Sequence, residues 1–385
     1  MAGQQPYIDL FDLDAFFVSV ERILDPSLVG KELILGGSRE RGVVSTCSYE
    51  ARKFGVRSAM PLRMALRLCP EAQVIKGDME YYSKMSHLVT EIIQEKVPVM
   101  EKASVDEFYL DLSGMDKFFG CYQWTTEIAE AVKKNTGLPI SFALSTNKTV
   151  SKIGTGEAKP AGKLELKPLA IQPFLNPLSV RKIPMVGDVT FELLSRLGVR
   201  KIETLAKMPV DVLQELIGKN GTELWKKANG IDLNPVIQYS ERKSISTETT
   251  FSEDTIDIPN IRSILSGMVE QLCYQLRQEK WLTSTVSVRI RYANFDTETK
   301  QCKVAYTSAD HTLLKYILEL FKKVYTRRMR IRLVGVKFTG LVHGSHQMNL
   351  FEDTEELISL YQTMDKMKDR FGAISLGRAS GFLTQ

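Results

Sequence analysis

The sequence predicts an α+β fold divided among several domains. Residues 1–170 mix apolar strands with amphipathic helices, residues 172–236 carry short helical segments, and residues 243–342 follow the order βαββαβ. Of the 385 residues, 43% are hydrophobic and 25% are charged, which is the ordinary composition of globular proteins. Disordered, collagen-like and low-complexity chains are therefore excluded, and the length predicts two to four domains at roughly 100–200 residues each.

The elements before residue 240 are predicted from apolar periodicity and from helix and strand breakers. Strands are predicted at Ile8–Leu13, Glu32–Leu35, Gly42–Thr46, Val105–Asp111 and Ile140–Leu144, and a long amphipathic helix at Tyr81–Glu95. Further on, short helical segments are separated by the loop residues Pro184, Gly187, Gly198, Pro209 and Gly218. The short polar stretch 237–241 predicts a linker.

The module after this linker is the most regular part of the chain. Its predicted strands are 243–250, 285–293, 300–306 and 332–340, and its predicted helices are 258–279 and 311–324. This order is typical of a split βαβ sandwich with both helices on one face of a small sheet.

The same module carries the positive charge of the protein. Between Arg242 and His346 there are 17 basic and 10 acidic residues, whereas the whole chain has a net charge of +5. In the strand 285–293, alternation places the apolar side chains on one face and Ser287, Arg289 and Arg291 on the other. The basic face predicts contact with a polyanion, and a solvated charged face is the alternative.

Targeting and redox signals are absent from the sequence. The start has no basic region before its first apolar run, and no stretch approaches the ~18 uncharged apolar residues of a membrane span. The five cysteines are scattered without C-x-x-C spacing, which predicts reduced thiols and no zinc site. We expect an intracellular, soluble protein with no membrane contact.

Carboxylates placed within apolar strands predict a metal site. Asp12 and Asp14 lie in one strand-to-helix segment, and Asp106 and Glu107 lie in another strand-like run. Buried carboxylates are costly unless they are paired, protonated or bound to a cation. Two such strands side by side would gather hard oxygen ligands that suit Mg²⁺ or Mn²⁺. The alternative is that these acids cap helices or end strands.

A segment rich in hydroxyl and cationic side chains predicts a phosphate site. Ser48 is a suitable N-cap for a helix, and Thr46, Tyr49 and Arg52 recur at a spacing of three, on one face of its first turn. Hydroxyl, phenol and guanidinium groups at a helix N-terminus can hold a triphosphate. A surface ion pair is the alternative for Arg52. The lysines of a later segment offer further phosphate contacts: Lys148, Lys152 and Lys159.

Three motifs resemble the signature motifs of the Y-family translesion DNA polymerases. They are Asp12–Phe17, Tyr49–Gly55 and Ser104–Phe108, and they are most similar to those of the bacterial DinB (DNA polymerase IV) branch. The resemblance implies a right-hand polymerase with a ferredoxin-like palm, small fingers, a helical helix-hairpin-helix thumb and a βαββαβ little finger. The implied boundaries are palm 1–19 and 78–168, fingers 20–77, thumb 169–236, linker 237–241, little finger 242–342, and clamp-binding peptide and tail 343–385.

The resemblance also implies a role for individual residues at the catalytic centre. Asp12, Asp106 and Glu107 would hold two Mg²⁺ ions (Mn²⁺ is the alternative), with the carbonyl of Leu13 completing one site. Phe17 would be the steric gate that excludes a ribose 2′-hydroxyl. The remaining nucleotide-binding residues would be Phe16 beside the gate, Ser45 over the nascent base pair, and Thr46, Tyr49, Arg52 and Lys159 on the triphosphate.

Other parts of the chain would bind DNA and a partner protein. Val186 and Gly187 lie in a segment similar to a helix-hairpin-helix loop, where Met185 replaces the usual first glycine, and Arg289 and Arg291 would contact DNA from the little finger. The segment 346–351 resembles the peptide by which bacterial polymerases hold the sliding clamp, through the anchor residues Gln347, Leu350 and Phe351. Its alternative is an ordinary loop.

The function implied is DNA-directed DNA synthesis, with low fidelity and lesion bypass in DNA damage tolerance and repair. The expected partners are primer-template DNA, dNTPs and the β sliding clamp, for a monomer in the bacterial cytoplasm at the nucleoid. Two other classes stay open. One is a non-catalytic DNA- and clamp-binding scaffold of the same fold, and the other is a palm-like nucleotidyl cyclase.

Overall fold

The protein forms two compact units, Met1–Ser240 and Glu241–Gln385. The structure, a computed structural model, describes residues 6–38, 41–115, 120–344, 355–372 and 375–378. Among the helices that it describes, none is long and apolar enough to cross a lipid bilayer.

Two sheets and eleven described α-helices build the first unit. The strands are β1 (Ile8–Leu13), β2 (Leu33–Gly36), β3 (Val44–Cys47), β4 (Gln73–Ile75), β5 (Val99–Lys102), β6 (Glu107–Asp111), β7 (Ile140–Ser145) and β8 (Lys163–Glu165). The helices are α1 (Phe16–Leu24), α2 (Tyr49–Lys53), α3 (Leu62–Leu68), α4 (Met79–Gln94), α5 (Cys121–Thr136), α6 (Lys148–Ala158), α7 (Pro168–Leu175), α8 (Asp188–Arg196), α9 (Ile202–Ala206), α10 (Val210–Ile217) and α11 (Lys219–Ala228).

The larger sheet has β1 at its centre, in the order β5-β6-β1-β7-β8. Alternation along β1 sends Phe11 and Leu13 into a core shared with α4 and α5, while Ile8 and Leu10 face α6. Helix α6 is fixed to this face by hydroxyls, since Ser151 donates to the carbonyl of Ile8. The sheet therefore holds the ends of β1 and β6 rigidly beside each other.

One boundary differs from the prediction in a way that matters for the site. The strand predicted at Val105–Asp111 begins at Glu107. The Ser104 hydroxyl accepts the amides of Asp106 and Glu107, at 3.2 Å and 3.0 Å, and so replaces a strand partner for these two groups. Asp106 therefore lies in the turn that precedes β6.

Asp9 is a fully buried carboxyl in the centre of the larger sheet. It lies between Leu110 and Leu144 on the neighbouring strands, and its polar neighbours are the Thr125 hydroxyl and the Leu10 amide. Burial raises the pKa of Asp9 to about 8, from an ordinary value near 4. The folded protein therefore keeps the proton at pH values where the unfolded chain has lost it.

This difference predicts a pH-dependent stability. The free energy of unfolding should fall as the pH rises from about 4 to about 8, because the folded state binds the additional proton throughout this window. Asp9→Asn should remove most of this slope and raise stability at pH 8 by a few kcal/mol. Urea denaturation at pH 5 and pH 8 measures it. An unchanged slope in the variant would contradict the assignment.

The smaller sheet of the first unit has the order β3-β2-β4. Its core contains Val44, Cys47, Ala51 and Leu62, so the sheet carries α2 and α3 as one body. The helices α7 to α11 share a further core with α6, which includes Val150 and Ile153.

The second unit confirms the predicted βαββαβ order. Its elements are β9 (Ser244–Thr255), α12 (Ile258–Gln278), β10 (Trp281–Tyr292), β11 (Thr297–Thr307), α13 (Asp310–Val324) and β12 (Ile331–His343), followed by α14 (Glu355–Phe371). The sheet is antiparallel in the order β11-β10-β12-β9. Val286, Val288, Ile290 and Tyr292 are fully buried beneath α12 and α13, as the alternation predicted.

The last helix is docked by a network of charged groups. Arg277 of α12 donates to Asp310 of α13 at 2.5 Å, and its Nε and second terminal nitrogen donate to Asp365 of α14 at 2.7 Å and 2.9 Å. Tyr361 is 5% exposed, and its hydroxyl accepts the amide of His311. The described part of the C-terminal tail thus includes a helix that packs against α12 and α13.

Candidate active site

Two carboxylates face each other where β1 and β6 pair. Asp12 and Glu107 are directly opposite in the antiparallel ladder, so their side chains leave the sheet on the same face. Asp106 precedes Glu107, and its carbonyl accepts the amide of Leu13 at 3.0 Å. Sheet pairing therefore brings Asp12, at one end of the palm-like sheet, beside two acids that follow it by more than ninety residues in the chain.

Each member of the facing pair is matched by a lysine. Lys159 Nζ lies 2.5 Å from Asp12 Oδ1, and Lys152 Nζ lies 2.6 Å from Glu107 Oε2. Burial raises the pKa of Asp12 to about 6, against the lowering effect of the Lys159 charge, and the nearby Glu107 and Asp106 raise it further. Added positive charge stabilises the ionised form of a buried acid that has acidic neighbours.

The donor set fits a hard divalent cation, although the side chains do not converge on one point. Among the described residues, no three acidic, histidine or cysteine side chains form a ready metal site. Asp106 accepts the Ser104 hydroxyl at 2.5 Å, and the other two acids are turned towards lysines. Asp12 Oδ1 is buried in contact with the Lys159 ammonium group, and three carboxylates with a carbonyl are ligands that Mg²⁺ and Mn²⁺ prefer.

Asp14 is not part of this group. Its carboxylate accepts the Ser141 hydroxyl at 2.8 Å, the Ala161 amide at 2.7 Å and the Tyr49 hydroxyl at 3.3 Å. These bonds satisfy a carboxylate that is 2% exposed. The fourth carboxylate of the predicted cluster therefore positions the phenol of Tyr49 and the turn after Lys159.

Phe17 is held from behind by an aromatic stack. Its ring stacks on Tyr82 with centroids 4.5 Å apart, and the ring of Phe16 lies 5.4 Å away. The Tyr82 hydroxyl donates to Glu21, and Tyr82 is 1% exposed. Phe16 is 3% exposed and belongs to the core, whereas Phe17 is half-buried. The gate candidate is therefore a ring whose position is fixed by a buried neighbour.

The phosphate-site candidates lie on β3 and at the start of α2. Ser48 caps α2 by accepting the amide of Ala51 at 3.2 Å, as predicted. Ser45 is exposed, while Thr46, Tyr49 and Arg52 are half-buried. The guanidinium of Arg52 lies over the Tyr49 ring, 4.6 Å from its centroid, and makes no ion pair within the chain as described. Burial raises the pKa of Tyr49 to about 12, so its phenol stays a hydrogen-bond donor.

Family models match most of the chain. The model of the impB/mucB/samB family matches residues 11–156, and the model of the C-terminal domain of this family matches residues 242–350. A relative named DNA polymerase IV 2 from Methanosarcina mazei is 35% identical over 89% of this chain and 94% of its own length. The chain belongs to the DinB-type Y-family DNA polymerases.

Other relatives and solved structures agree with this family. A DNA polymerase IV from Treponema denticola is 36% identical over 84% of this chain and 83% of its own length. A Y-family polymerase chimera of Dbh and Dpo4 superposes with a TM-score of 0.79 at 25% identity, over 88% of this chain and 100% of its own. DinB from Sulfolobus solfataricus has a TM-score of 0.62 at the same identity and coverage. The protein is a DNA-directed DNA polymerase with the right-hand fold.

In the loop that is expected to be the helix-hairpin-helix hairpin of this Y-family polymerase, Met185 stands where the first glycine is usual. Met185 has φ +84°, in the left-handed region that glycine adopts without strain, and its side chain is 70% exposed. Gly187 then caps α8, and a Cβ at this position would meet nothing within 4 Å. Val186, half-buried, stands between the two. The expected backbone approach to a phosphate is therefore open at Gly187.

The strain at Met185 leads to a measurable prediction. Met185→Gly should stabilise the polymerase by about 0.5–1 kcal/mol, because relief of a left-handed residue is worth about 1–2 kcal/mol and the added freedom of the unfolded chain costs roughly 0.5–1 kcal/mol. Met185→Ala is the control, since it removes the same exposed side chain and keeps the strain. Thermal denaturation compares the three proteins. Equal stabilisation by both substitutions would show that the side chain, and not φ, is responsible.

The basic face of the second unit carries an internal ion pair. Arg289 donates to Glu248 at 2.9 Å across the intervening strand β12. The two side chains meet because Gly335 lies between them, where a Cβ would come within 2.5 Å of Glu248 Cγ. Arg291 donates to the Thr297 hydroxyl at 3.0 Å and is half-buried. Both arginines lie on the face opposite the helices, as predicted, but each already has a partner.

Several of the positioning residues could not be found from the sequence. The contacts of Tyr82, Ser141 and Lys152 could not be predicted because each acts on a partner that is distant in sequence. Ser104 lies within a signature motif, but its bond to Asp106 depends on the turn that precedes β6. The proposed clamp-binding residues Gln347, Leu350 and Phe351 lie outside the described residues.

Proposed function

We propose that this Y-family polymerase adds dNTPs to a primer 3′-hydroxyl by two-metal nucleotidyl transfer, with low fidelity and bypass of damaged template bases. The observation that carries the proposal is the meeting of Asp12, Asp106 and Glu107 at one end of β1 and β6. Carboxylates in this arrangement serve nucleotidyl transfer in a dry, pre-organised site. A cyclase would need no gate against ribose, so the buried support of Phe17 favours the polymerase.

The metal-binding residues would be the three carboxylates and the carbonyl of Leu13, with Mg²⁺ as the proposed ion and Mn²⁺ as a substitute. When bound, two such cations would lower the pKa of the primer 3′-hydroxyl and neutralise the leaving pyrophosphate. The chain itself would supply the rigid spacing, because β1 and β6 are adjacent strands of a five-stranded sheet. Asp14 would fix the turn that carries Lys159.

The incoming nucleotide would lie between the two sheets of the first unit. Arg52, Tyr49, Thr46 and Lys159 would bind its triphosphate, and Ser45 would leave space above the nascent base pair. Phe17 would exclude the 2′-hydroxyl, with Phe16 and Tyr82 holding it in place. Arg52 is suited to this role because its guanidinium is oriented by the Tyr49 ring and forms no ion pair with an acidic residue within the described chain.

The proposed domains follow the expected boundaries: palm 1–19 and 78–168, fingers 20–77, thumb 169–236, linker 237–241 and little finger 242–342. DNA would be bound by the Val186–Gly187 loop and by the basic face with Arg289 and Arg291. Because Arg289 is already paired with Glu248, we expect a weaker contribution from it than from an unpaired arginine. Binding should weaken steeply as salt increases.

We also propose that residues 346–351 hold the β sliding clamp as an extended peptide, which would make polymerase and clamp partners on DNA. Leu350→Ala with Phe351→Ala should weaken binding to purified clamp by about 100-fold, because two apolar anchors are lost. Asn349→Ala, between the anchors, is the matched control. Surface plasmon resonance measures both, and equal affinities would remove this assignment.

Extension of a labelled primer on a defined template tests the main proposal. Each dNTP is supplied singly with Mg²⁺, so that templated incorporation is distinguished from untemplated addition. A second reaction with ATP or GTP and no DNA tests for a cyclase. DNA binding without extension would instead indicate the non-catalytic scaffold.

A further inference from the structure

Helix α6 and the turn after it present lysines to acids on three successive strands. Lys148 contacts Glu101 on β5, Lys152 contacts Glu107 on β6, and Lys159 contacts Asp12 on β1. The first two lysines are four residues apart on one helical face, so the helix matches the strand spacing of the sheet below it.

Two of these three acids are the proposed metal ligands, and the third is not. The ammonium group of Lys152 lies 2.6 Å from Glu107 Oε2, within the space that a cation bound to that oxygen would need. This ion pair is partly buried, since 38% of the side chain of Lys152 and 22% of that of Glu107 are exposed. An ammonium group and a divalent cation cannot occupy the same position beside this oxygen, and their like charges repel each other at such short distances.

We propose that Lys152 is a positioning residue that occupies the cation side of Glu107 in the metal-free enzyme and leaves it when a divalent cation binds. This inference rests on the proposed two-metal function. Metal binding would then replace the Lys152 ammonium group beside Glu107 with the divalent cation. The lysine keeps Glu107 from swinging out of the site, at the expense of metal affinity. Lys159 stands in the same relation to Asp12, but it also has a proposed role on the triphosphate.

Removal of the competing charge should therefore tighten metal binding. In Lys152→Met, Mn²⁺ should bind about tenfold more tightly than in wild type, without DNA or nucleotide, because one full charge beside the ligand is lost. Lys148→Met is the matched control: it removes a lysine from the same helical face, and its acid partner is not a proposed ligand. Its affinity should stay within about twofold of wild type. Lys152→Arg should restore the weaker binding.

Electron paramagnetic resonance of free Mn²⁺ measures these affinities on the full-length chain. A second readout is thermal stability: Lys152→Met should melt at a lower temperature than wild type without metal, and saturating Mn²⁺ should remove the difference. A purely structural lysine would lower the melting temperature with and without metal alike.

The outcomes separate the two proposals. Unchanged or weaker Mn²⁺ binding in a folded Lys152→Met protein overturns the exchange, even if the wild type binds metal and extends primers. If wild type and Glu107→Gln bind Mn²⁺ equally, Glu107 is not a ligand, and the metal assignment of the proposed function fails first. Tighter binding in Lys152→Met but not in Lys148→Met supports both.

Discussion

Replacement of Asp106 by asparagine should abolish templated primer extension, with a loss of at least about 10³-fold in rate. The substitution keeps the shape of the side chain and its bond to the Ser104 hydroxyl, but removes the charge that a cation needs. Such a loss corresponds to about 4 kcal/mol of transition-state stabilisation. Single-turnover extension with saturating dNTP measures the chemical step separately from binding.

Asp111→Asn is the control for this experiment. Asp111 lies at the far end of the same strand, and its Oδ1 accepts the amide of Ser113, a bond that asparagine preserves. The control should extend primers at the wild-type rate. DNA affinity of the Asp106→Asn protein, from fluorescence anisotropy, should stay within about threefold of wild type. Extension by the Asp106→Asn protein at a normal rate would remove this residue from the catalytic group.

Replacement of Phe17 by alanine should open the polymerase to ribonucleotides. The ring is proposed to fill the space that a 2′-hydroxyl would need, so its removal should raise the rNTP/dNTP ratio of kcat/KM by roughly 10²-fold or more. Because Phe17 is half-buried and stacked on Tyr82, the variant should also lose about 1–2 kcal/mol of stability. Single-nucleotide incorporation with matched rNTP and dNTP pairs measures the ratio.

The support of the gate can be tested separately. Tyr82→Leu keeps an apolar side chain behind Phe17 but removes the stack, so it should relax sugar discrimination by a smaller factor than Phe17→Ala. Phe295→Ala is the negative control, because this phenylalanine is 62% exposed and lies in the other compact unit. An unchanged ratio in Phe17→Ala would show that another residue excludes ribose.

Strand and helix positions could be predicted well where the periodicity of apolar residues matches the side chains that the fold buries. The strand at Ile8–Leu13 has the predicted bounds, and α12 and α13 begin and end within a residue of prediction. The predicted strand bounds were less accurate where a side chain replaces a backbone hydrogen-bond partner. At the start of β6, the Ser104 hydroxyl accepts hydrogen bonds from two amides that would otherwise pair within a longer strand. β10 also begins earlier than predicted, at Trp281, because a bulge near Thr283 lets the ladder continue.

The candidate site shows the same division. Carboxylates in apolar strands are unusual, so the sequence pattern indicated Asp12, Asp14, Asp106 and Glu107. The resemblance to the polymerase motifs then implied Asp12, Asp106 and Glu107 as the ligands, and the structure brings these three together. The different role of Asp14 could not be predicted, because its partners Ser141 and Ala161 follow it by more than a hundred residues and no local pattern marks them. Likewise, the pairing of Lys152 with Glu107 depends on how α6 lies over the sheet.

The docked tail has a consequence for how the protein is made. Arg277 and Asp310 are synthesised long before Asp365, the second acid on that arginine, leaves the ribosome. The first unit has all its strands by residue 165 and can fold while synthesis continues, because domains fold as units from the N-terminus. The second unit can complete its charge network only after the final helix emerges. A premature stop after Gly344 would thus yield a normally folded N-terminal unit attached to a C-terminal unit that is prone to proteolysis.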